Sequence, residues 1–385
     1  MVYIDREIGV NIRWRNTKLD EVTFARYAGA PLDLLQAINP LYAELRRGLL
    51  SYQKQYSSLP QFRIDPGPRL SVGDEGVRVT LLRERLGLIP GSLFDEALQN
   101  RVIDYQQVHG LSADGVVGED VIASLNRGAL HYAQVLMINM ERARRLPAPG
   151  ELKRHIVVDA GSARIFMYED GKLVDSMRAV VGSNATQTPM MAALIRYASV
   201  NPYWNLPPEF NVKMVAPRVL EQGLGYLTER KYEVFAGWTE EAPRLDPADV
   251  DWQAVSDGKL SLRIRRGPGP GNSMGDIKFM MPNDLGIYLH DTHDKSAFAK
   301  DARWLSNGCV RVEDAHRLAT WLFGVMPQGS DPDIEERVAL AEPVAVFLTY
   351  LTAETTPDGV LFRPDPYGRD PAVLMRYFGA VRLLV

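Results

Sequence analysis

One histidine and the only cysteine of the chain are spaced in a way that suits thiol chemistry. His290 ends an apolar run that is typical of a strand, and Cys309 follows 19 positions later, directly after Gly308. A catalytic thiol must reach its thiolate form, which a histidine or local dipoles favour by lowering the pKa of the thiol. The glycine permits close backbone approach. We expect Cys309 as nucleophile and His290 as base, with the N–H groups of Gly308 and Cys309 facing an oxyanion.

The order of these two residues along the chain narrows the class of thiol enzyme. In papain-like enzymes the cysteine precedes the histidine, whereas here His290 precedes Cys309. Caspase-like enzymes share the order, but their Gln-Ala-Cys signature and their spacing of about 50 residues are missing. The Thr-Leu-x-Thr-Cys context of sortases is missing as well.

A metal centre is the weaker interpretation of the same window. His290 and His293 are three positions apart, but no third or fourth ligand accompanies them, and metal ions are usually held by three or four convergent groups. A single cysteine excludes an intramolecular disulfide and sites that need several cysteines. We therefore predict no metal and no cofactor, and we interpret His316 as structural.

The composition is that of a folded protein and gives no sign of nucleic-acid binding. Of the 385 residues, 46% are hydrophobic, which is enough for a core. The formal net charge is −4, so the basic face of a nucleic-acid binder is not indicated. No apolar run approaches the roughly 20 residues that span a bilayer, so no transmembrane segment is predicted. The first residues lack the apolar stretch of a secretory signal.

Helices dominate the first part of the chain. Asn39 followed by Pro40 is typical of a helix start, because Asn caps the first turn and Pro fits its first position. Apolar residues at helical spacing predict helices over residues 31–39, 41–55, 77–86, 94–109, 118–125 and 130–145.

From residue 155 onward, short β-rich runs take over. They predict strands over 155–159, 164–168, 177–181, 196–200, 287–289 and 344–352, with helices over 312–323, 331–340 and 371–378. Residues 208–265 interrupt this pattern with helical stretches at 213–221 and 247–256, so we interpret them as an insertion that forms a lid. The predicted fold class is α+β and multidomain, with a helical scaffold, a three-helix module and a mostly-β domain.

A compact motif lies between residues 105 and 126. It comprises Tyr105-Gln106, His109-Gly110-Leu111, the run ADGVVG at 113–118 and Leu125-Asn126. These residues resemble the motif of the type 1 peptidoglycan-binding domain, with Tyr105 in place of the usual Phe and Val121 near the usual Thr. The resemblance covers residues 69–126 and implies a module that binds glycan or serves as a spacer.

A second set of motifs surrounds Cys309. His290 is followed by Ser306, Gly308, Cys309 and Arg311 in the pattern [Ser/Thr]-x-Gly-Cys-x-Arg/Asn. Further matching stretches are Val181-Gly182, 187–189 (QTP), 201–207 (NPYWNLP), 266–275 (RGPGPGNSMG), Lys278-Phe279, Pro282-Asn283, 288–292 (YLHDT), 350–353 (YLTA) and 362–370 (FRPDPYGRD). Together they resemble the L,D-transpeptidase catalytic domain of the YkuD type, and within it the YcbB-like group. His293 departs from the usual Pro, and Asn307 from the usual Ser or His.

The resemblance implies an enzyme that cross-links peptidoglycan in the periplasm or cell envelope and supports cell shape. Cys309 would attack the L-centre carbonyl of a diamino acid in a tetrapeptide stem, and D-Ala would leave. An acceptor amine would then resolve the thioester into a 3→3 cross-link. His290 would handle the protons, oriented by the carbonyl of Asp291, and carbapenems would acylate the cysteine.

Arginines suit this substrate because guanidinium groups bind carboxylates, which the stem peptide carries, in a bidentate fork. Arg311 lies two positions after Cys309, on the same face of a strand, and Arg303 is a second candidate. The other expected substrate-binding residues are Ser306, Asn307, Tyr288 and Tyr203.

The expected domains follow from these assignments. Residues 1–68 and 127–153 form a helical scaffold, 69–126 the peptidoglycan-binding module, 154–353 the catalytic domain with its insertion at 208–265, and 354–385 a tail. The expected partners are peptidoglycan stem peptides and glycan, and no oligomeric state is predicted. Two alternatives stay open. With water as acceptor, the enzyme is an L,D-carboxypeptidase or cross-link hydrolase. With an inactive catalytic domain, the chain is a binding scaffold.

Overall fold

Helices occupy the first part of the described chain, and strands occupy most of the rest. The structure is a computed structural model that describes residues 2–3, 39–239, 241–357 and 359–379. The α-helices are α1 (Pro40–Tyr52), α2 (Val77–Arg85), α3 (Glu96–Val108), α4 (Glu119–Ala143), α5 (Pro208–Phe210), α6 (Ala216–Gln222), α7 (Gly225–Glu229), α8 (Trp252–Ser256), α9 (Ala315–Phe323) and α10 (Asp370–Phe378). None of these helices combines the length and the apolar content needed to cross a membrane.

The strands are concentrated after residue 153. They are β1 (Val2–Tyr3), β2 (Arg154–Asp159), β3 (Arg164–Glu169), β4 (Lys172–Gly182), β5 (Met191–Val200), β6 (Trp204–Asn205), β7 (Tyr232–Phe235), β8 (Arg263–Arg266), β9 (Ile277–Met280), β10 (Leu289–His290), β11 (Trp304–Ser306), β12 (Val310–Val312), β13 (Glu336–Thr349), β14 (Ala353–Thr356) and β15 (Gly359–Phe362). The α+β fold class predicted from the sequence is confirmed.

The start of α1 is set by two neighbouring residues. The Asn39 side chain accepts a hydrogen bond from the N–H of Leu41 at 3.0 Å, and Pro40 takes the first helical position. This is the predicted cap. Apart from Asn39, the helix predicted over 31–39 lies outside the described residues.

A glycine joins what the sequence predicts as two helices. The element α4 runs through both predicted segments and is kinked at Gly128, whose φ of 81° lies in the left-handed region that favours glycine. The N–H of the next residue, Ala129, donates to Gln61 Oε1 at 3.0 Å. A side chain thus accepts a hydrogen bond from a backbone N–H at the kink.

The first of two compact units comprises residues 1–175, 189–192 and 347–385. Its core combines side chains of α1 to α4 with three residues of the hairpin β14–β15, namely Ala353, Val360 and Phe362. In this unit β2 and β3 pair antiparallel over their whole length. The segment expected as a tail therefore supplies core residues of the first unit.

The second unit comprises residues 176–188 and 193–346. Its main sheet has the order β11-β4-β12-β10-β9-β5, in which β10 runs parallel to β12 and antiparallel to β9. The helix α9 follows β12 directly and is capped by the Asp314 side chain, which accepts the N–H of Arg317 at 2.9 Å. The short strand β10 carries the expected base, His290, and β12 begins directly after the expected nucleophile, Cys309.

The segment between β5 and β9 has a core of its own. The strands β6, β8 and β7 form an antiparallel sheet, and the core behind it is lined by Leu206, Val215, Ala216, Val219, Tyr226, Leu227, Tyr232, Val234, Trp252, Val255, Leu262 and Ile264. Of the helices predicted here, the first becomes a π-turn at Asn211–Val215 followed by α6, and the second a 3₁₀ turn at Pro247–Asp249 followed by α8. An internal core makes this segment a subdomain.

The helix predicted over residues 331–340 is wrong. Residues 336–340 belong to β13, where burial alternates along the chain and Leu340 faces inward. Such a two-residue period is that of a strand. Asp331-Pro332 imitates the start of a helix, and the short stretch that follows does not separate the two periods clearly.

Candidate active site

Three neighbouring strands bring the chemically active side chains together. In β10, His290 is opposite Lys278 of β9 and opposite Arg311 of β12. The same parallel register places Cys309 beside Tyr288. Paired residues of adjacent strands project to the same face of a sheet. A thiol, an imidazole, a phenol and two cations therefore share one face.

A tight turn between β11 and β12 presents Cys309. The Ser306 hydroxyl donates to the carbonyl of Cys309 at 2.6 Å and accepts the N–H of Gly308 at 3.1 Å. Gly308 has a φ of 114°, a conformation that residues with side chains rarely adopt. Its carbonyl accepts a hydrogen bond from Thr188 Oγ1 at 2.8 Å. These bonds fix the turn and leave Cys309 half-buried.

This turn bears on two expected roles. The N–H of Gly308 is taken up by the Ser306 hydroxyl, so it does not face an oxyanion. Ser306 is buried and its hydroxyl is used inside the turn, so it shapes the site, and its contact with substrate stays a prediction. The N–H of Cys309 has no acceptor among the described residues, which leaves it as the backbone donor of the turn.

His290 has a buried and neutral imidazole. Its Nδ1 lies 2.6 Å from the carbonyl oxygen of Asp291, the contact that the resemblance implies. A carbonyl oxygen only accepts hydrogen bonds, so Nδ1 carries the ring proton and Nε2 keeps its lone pair. Burial, helped by the charge of Arg311, lowers the pKa of His290 to about 3. At neutral pH the imidazole can therefore accept a proton.

Burial raises the pKa of the Cys309 thiol above its ordinary value. The neighbouring backbone N–H and hydroxyl of Tyr288 oppose this rise in the pKa of the thiol, as do the charges of Arg311 and Lys278. The thiol itself donates to the carbonyl oxygen of Gly286 at 3.6 Å. The expectation of a lowered thiol pKa is therefore wrong, because desolvation outweighs the favourable neighbours.

Tyr288 neighbours both the thiol and the imidazole. The strand register places it beside Cys309, and its ring centroid lies 5.6 Å from that of His290. Its hydroxyl donates a hydrogen bond to Met274 Sδ at 3.5 Å. No hydrogen bond joins Cys309 directly to His290. A loose nucleophile–base contact of this kind is common before a substrate binds.

The two candidate arginines differ in what they contact. Arg303 donates to the carbonyl oxygens of Ala179, Lys300 and Asp301. It therefore ties the segment before β11 to β4, and its contact with substrate stays a prediction. Arg311 has no hydrogen bond to any described residue, and its Nε is buried without a partner. A guanidinium in that state gains most from an anionic ligand.

Tyr203 and Asn307 are the remaining expected substrate residues. The ring of Tyr203 lies under the guanidinium of Arg265, whose Cζ is 3.9 Å from the ring centroid, and its N–H donates to Glu335 at 2.8 Å. Asn307 is exposed in the turn before the cysteine. Neither residue hydrogen-bonds Cys309 or His290, and their contact with substrate stays a prediction.

Lys278 is the site residue that sequence reasoning missed. It is 9% exposed, and its Nζ lies 3.0 Å from Glu335 Oε1 and 6.0 Å from the ring centroid of Tyr288. The Lys278-Phe279 pair belongs to a recognisable motif, but nothing local connects it with His290. Their proximity comes from the pairing of β9 with β10.

A cluster of carboxylates and imidazoles adjoins His290. Asp276, Asp291 and His316 have potential ligand atoms within 4.8 Å of one another. Asp291 is already ion-paired with Lys295 at 2.7 Å, and Asp276 lies 3.2 Å from His316 and 3.7 Å from His293. These contacts account for the cluster, so we assign it no metal ion.

Two family models match the chain. The YkuD model, described as the L,D-transpeptidase catalytic domain, matches residues 153–338. The PG_binding_1 model, described as "Putative peptidoglycan binding domain", matches residues 84–125. His290 and Cys309 lie inside the first match.

Known proteins with similar sequences or structures include one curated relative. A protein of Haemophilus influenzae named "Putative L,D-transpeptidase" is 32% identical over 247 residues, which are 62% of this chain and 49% of that protein. The chain thus spans about half the length of this relative. An L,D-transpeptidase from Mycobacterium smegmatis is 12% identical with a TM-score of 0.25, covering 51% of this chain and 58% of that one. An L,D-transpeptidase from Xylanimonas cellulosilytica is 17% identical with a TM-score of 0.23, covering 74% and 99%.

The two family models match the parts of the chain that contain the motifs described in the sequence analysis. The thiol motif lies within the first matched range, and the ADGVVG run at 113–118 lies within the second. Residues 153–338 thus match the L,D-transpeptidase catalytic domain of the YkuD family, and residues 84–125 match a peptidoglycan-binding domain.

Proposed function

We propose that this chain is a peptidoglycan L,D-transpeptidase in which Cys309 is the nucleophile and His290 the base. One observation carries the proposal. A half-buried thiol shares a sheet face with a neutral imidazole whose Nε2 has no hydrogen bond to a described residue. The match of residues 153–338 to the catalytic family supports the same chemistry.

The first half-reaction forms a thioester on Cys309. The donor is a tetrapeptide stem that ends in a diamino acid and D-Ala. As Sγ attacks the carbonyl carbon at the L-centre of the diamino acid, the thiol proton moves to Nε2 of His290. The C–N bond to D-Ala then breaks, and the imidazolium gives its proton to the leaving amine. A thiol with a raised pKa suits proton transfer during the attack.

The oxyanion of the tetrahedral intermediate needs donors other than Gly308. We assign this role first to the N–H of Cys309, which has no acceptor among the described residues and is held in place before the reaction. We assign the hydroxyl of Tyr288 as a second donor, because the register places Tyr288 beside Cys309 and its present acceptor, Met274 Sδ at 3.5 Å, is a weak one. Tyr288 is thus moved from the substrate-binding set to the reaction centre.

The second half-reaction transfers the acyl group to an amine. The side-chain amine of an acceptor stem attacks the thioester carbon, its proton passes to His290, and the C–S bond breaks. The imidazolium then returns the proton to the Cys309 sulfur, which restores the enzyme and leaves a 3→3 cross-link. Water in place of the amine gives the hydrolytic alternative.

Arg311 is the proposed anchor for a carboxylate of the stem peptide. It lies in register with His290 and on the same strand face as Cys309. Its guanidinium has no hydrogen bond to a described residue, and its buried Nε has no partner, so its N–H groups would gain from a carboxylate that enters the site.

The other parts of the chain suit a polymeric substrate. The domain at 84–125 would hold the enzyme on peptidoglycan, and such a substrate implies action in the periplasm or cell envelope. The subdomain between β5 and β9 has its own core and would act as a rigid lid.

Mass spectrometry of muropeptides tests the proposal against its hydrolytic alternative. Purified protein is incubated with disaccharide-tetrapeptide, and Cys309→Ala serves as control. We expect cross-linked dimers from the natural chain and none from the variant. Shortened tripeptide stems without dimers would instead establish an L,D-carboxypeptidase.

The inactive-scaffold alternative has a separate test. If the thiol is competent, a carbapenem adds its mass to the intact protein, and the adduct is lost in Cys309→Ala. Absence of an adduct from the folded natural chain would favour a scaffold that only binds peptidoglycan.

A further inference from the structure

A buried ion pair lies beside the proposed nucleophile, and the reaction described above does not use it. Lys278 Nζ is 3.0 Å from Glu335 Oε1, and the two side chains are 11% and 20% exposed. Removing two charges from water is costly, and a hydrophobic pair of similar size is often at least as stable. The position of this pair therefore calls for a reason beyond stability.

The strand register supplies that reason. Lys278 pairs with His290 across β9 and β10, so both side chains project to the face that carries the thiol. The ammonium group also lies 6.0 Å from the ring centroid of Tyr288, which neighbours Cys309 in the register of β10 and β12. A fixed positive charge at this place favours a thiolate and disfavours an imidazolium.

Glu335 determines how much of that charge acts on the site. One of its oxygens accepts from Lys278 at 3.0 Å, and the other accepts the backbone N–H of Tyr203 at 2.8 Å. Tyr203 immediately precedes β6, the first strand of the subdomain between β5 and β9. The carboxylate is thereby anchored at a fixed distance from the lysine.

We propose that Lys278 is a positioning residue of the Cys309–His290 pair, and that Glu335 sets the strength of its charge. The lysine stabilises the sulfur anion as it forms and keeps the imidazole free to accept the proton. Glu335 attenuates this effect and connects it to the backbone at Tyr203. The meaning of the inference for catalysis rests on the proposed function.

Other charged and titratable groups also face the thiol. Tyr288 contributes its hydroxyl from the start of β10, His290 faces it from the same strand, and Arg311 faces it from β12. Asp294 acts on Arg311 from the loop after β10. Variants at Lys278 and Glu335 leave all of these in place, so their effect on the thiol can be assigned to the ion pair.

Iodoacetamide alkylation of Cys309, followed by intact mass over a range of pH, measures the thiol directly because the chain has a single cysteine. We expect Lys278→Met to raise the midpoint by about one pH unit and Lys278→Arg to restore it. Glu335→Gln should lower the midpoint. Lys259→Met is the matched control, since Lys259 forms an exposed ion pair with Asp257 and should leave the midpoint unchanged.

The opposite signs separate a charge effect from a structural one. The double variant Lys278→Met with Glu335→Gln carries no unpaired buried charge, and its midpoint should lie between those of the single variants. Midpoints that all rise, or that do not move, in variants with natural circular dichroism would overturn the proposal. Alkylation needs no peptidoglycan, so this result stands apart from a failure to form cross-links.

Discussion

The chain contains two buried histidines with the same protonation state and different surroundings. Burial lowers the pKa of both His109, in the peptidoglycan-binding domain, and His290, in the catalytic domain, to about 3. His109 uses both ring nitrogens: Nδ1 donates to the carbonyl of Tyr105 at 2.8 Å, and Nε2 accepts from the Tyr52 hydroxyl at 3.0 Å. His290 uses only Nδ1 among the described residues.

The neighbours of the two rings differ as well. His109 is packed among aromatic rings, with centroids of Tyr105 at 3.8 Å and Tyr132 at 4.5 Å. His290 lies between Lys278 and Arg311. A lowered pKa, which both histidines share, therefore does not by itself mark a catalytic base. The distinguishing feature is a ring nitrogen that the fold leaves without a partner, next to a nucleophile.

The largest expected effect is on acylation of Cys309. His290→Gln should lower the rate of carbapenem acylation by roughly 10²- to 10⁴-fold, because the proton acceptor is lost. His109→Gln should leave the rate per folded molecule unchanged. Time-resolved intact mass measures both variants. Similar losses in the two would remove the distinction drawn above.

Arg311 tests whether the cationic surroundings of His290 serve the substrate. Arg311→Met should lower kcat/KM for a tetrapeptide donor by roughly 10- to 100-fold, the range expected for a lost charged hydrogen bond. Arg311→Lys should recover part of it, since an ammonium cannot form the bidentate fork. With a donor whose stem carboxylates are amidated, kcat/KM should fall little in Arg311→Met. If kcat/KM falls as much as with the free acid, Arg311 does not bind a carboxylate.

His109 should matter for stability instead. His109→Leu removes two hydrogen bonds and leaves the Tyr52 hydroxyl unpaired, whereas the Tyr105 carbonyl keeps the backbone N–H of residue 109 at 3.0 Å. The free energy of unfolding should therefore fall by about 1–3 kcal/mol. Urea unfolding followed by circular dichroism measures this loss. Tyr52→Phe with His109→Leu should recover part of it, because the unpaired hydroxyl is then gone. An unchanged urea midpoint in the single variant would show that the hydrogen bonds at His109 contribute nothing.

The smallest expected effect is a shared dependence of stability on pH. Both folded-state pKa values are depressed from about 6.5 to about 3, so the unfolded chain binds more protons than the native one in this window. The stability that the two neutral histidines contribute is complete above pH 6.5 and is lost as the pH falls toward 3. Each histidine contributes up to about 1.4 kcal/mol per pH unit. Urea midpoints between pH 4 and 6.5 should fall less steeply in His109→Leu and in His290→Gln. If the urea midpoint of either variant depends on pH as steeply as that of the natural chain, the histidine replaced in that variant is not a neutral buried imidazole.

The sequence singles out Cys309 and His290 because their residue types are rare and their spacing is short, and the fold places both on one face of the sheet. Cys309 is the single cysteine, and the nearby Ser306 and Gly308 indicate a turn before it. Lys278 escaped prediction because it reaches His290 through strand pairing, which no local pattern encodes. Arg303 and Arg311 look alike in sequence, and three backbone carbonyls distinguish them only in the folded chain.

Two elements also differ from the sequence prediction because local patterns do not encode tertiary packing. The kink at Gly128 and the strand at 336–349 depend on what each segment packs against. Periodicity over a few residues does not contain that information.

The central claim is that the sulfur of Cys309 attacks a stem peptide with the neutral imidazole of His290 as its base. Intact mass after brief exposure to disaccharide-tetrapeptide, with acid quenching, tests it most directly. We predict that the natural chain gains the mass of a disaccharide-tripeptide acyl group on the peptide containing Cys309, with release of D-Ala, and that His290→Gln accumulates far less. A natural chain that forms no adduct while it remains folded, or an adduct that persists in Cys309→Ala, would contradict the account.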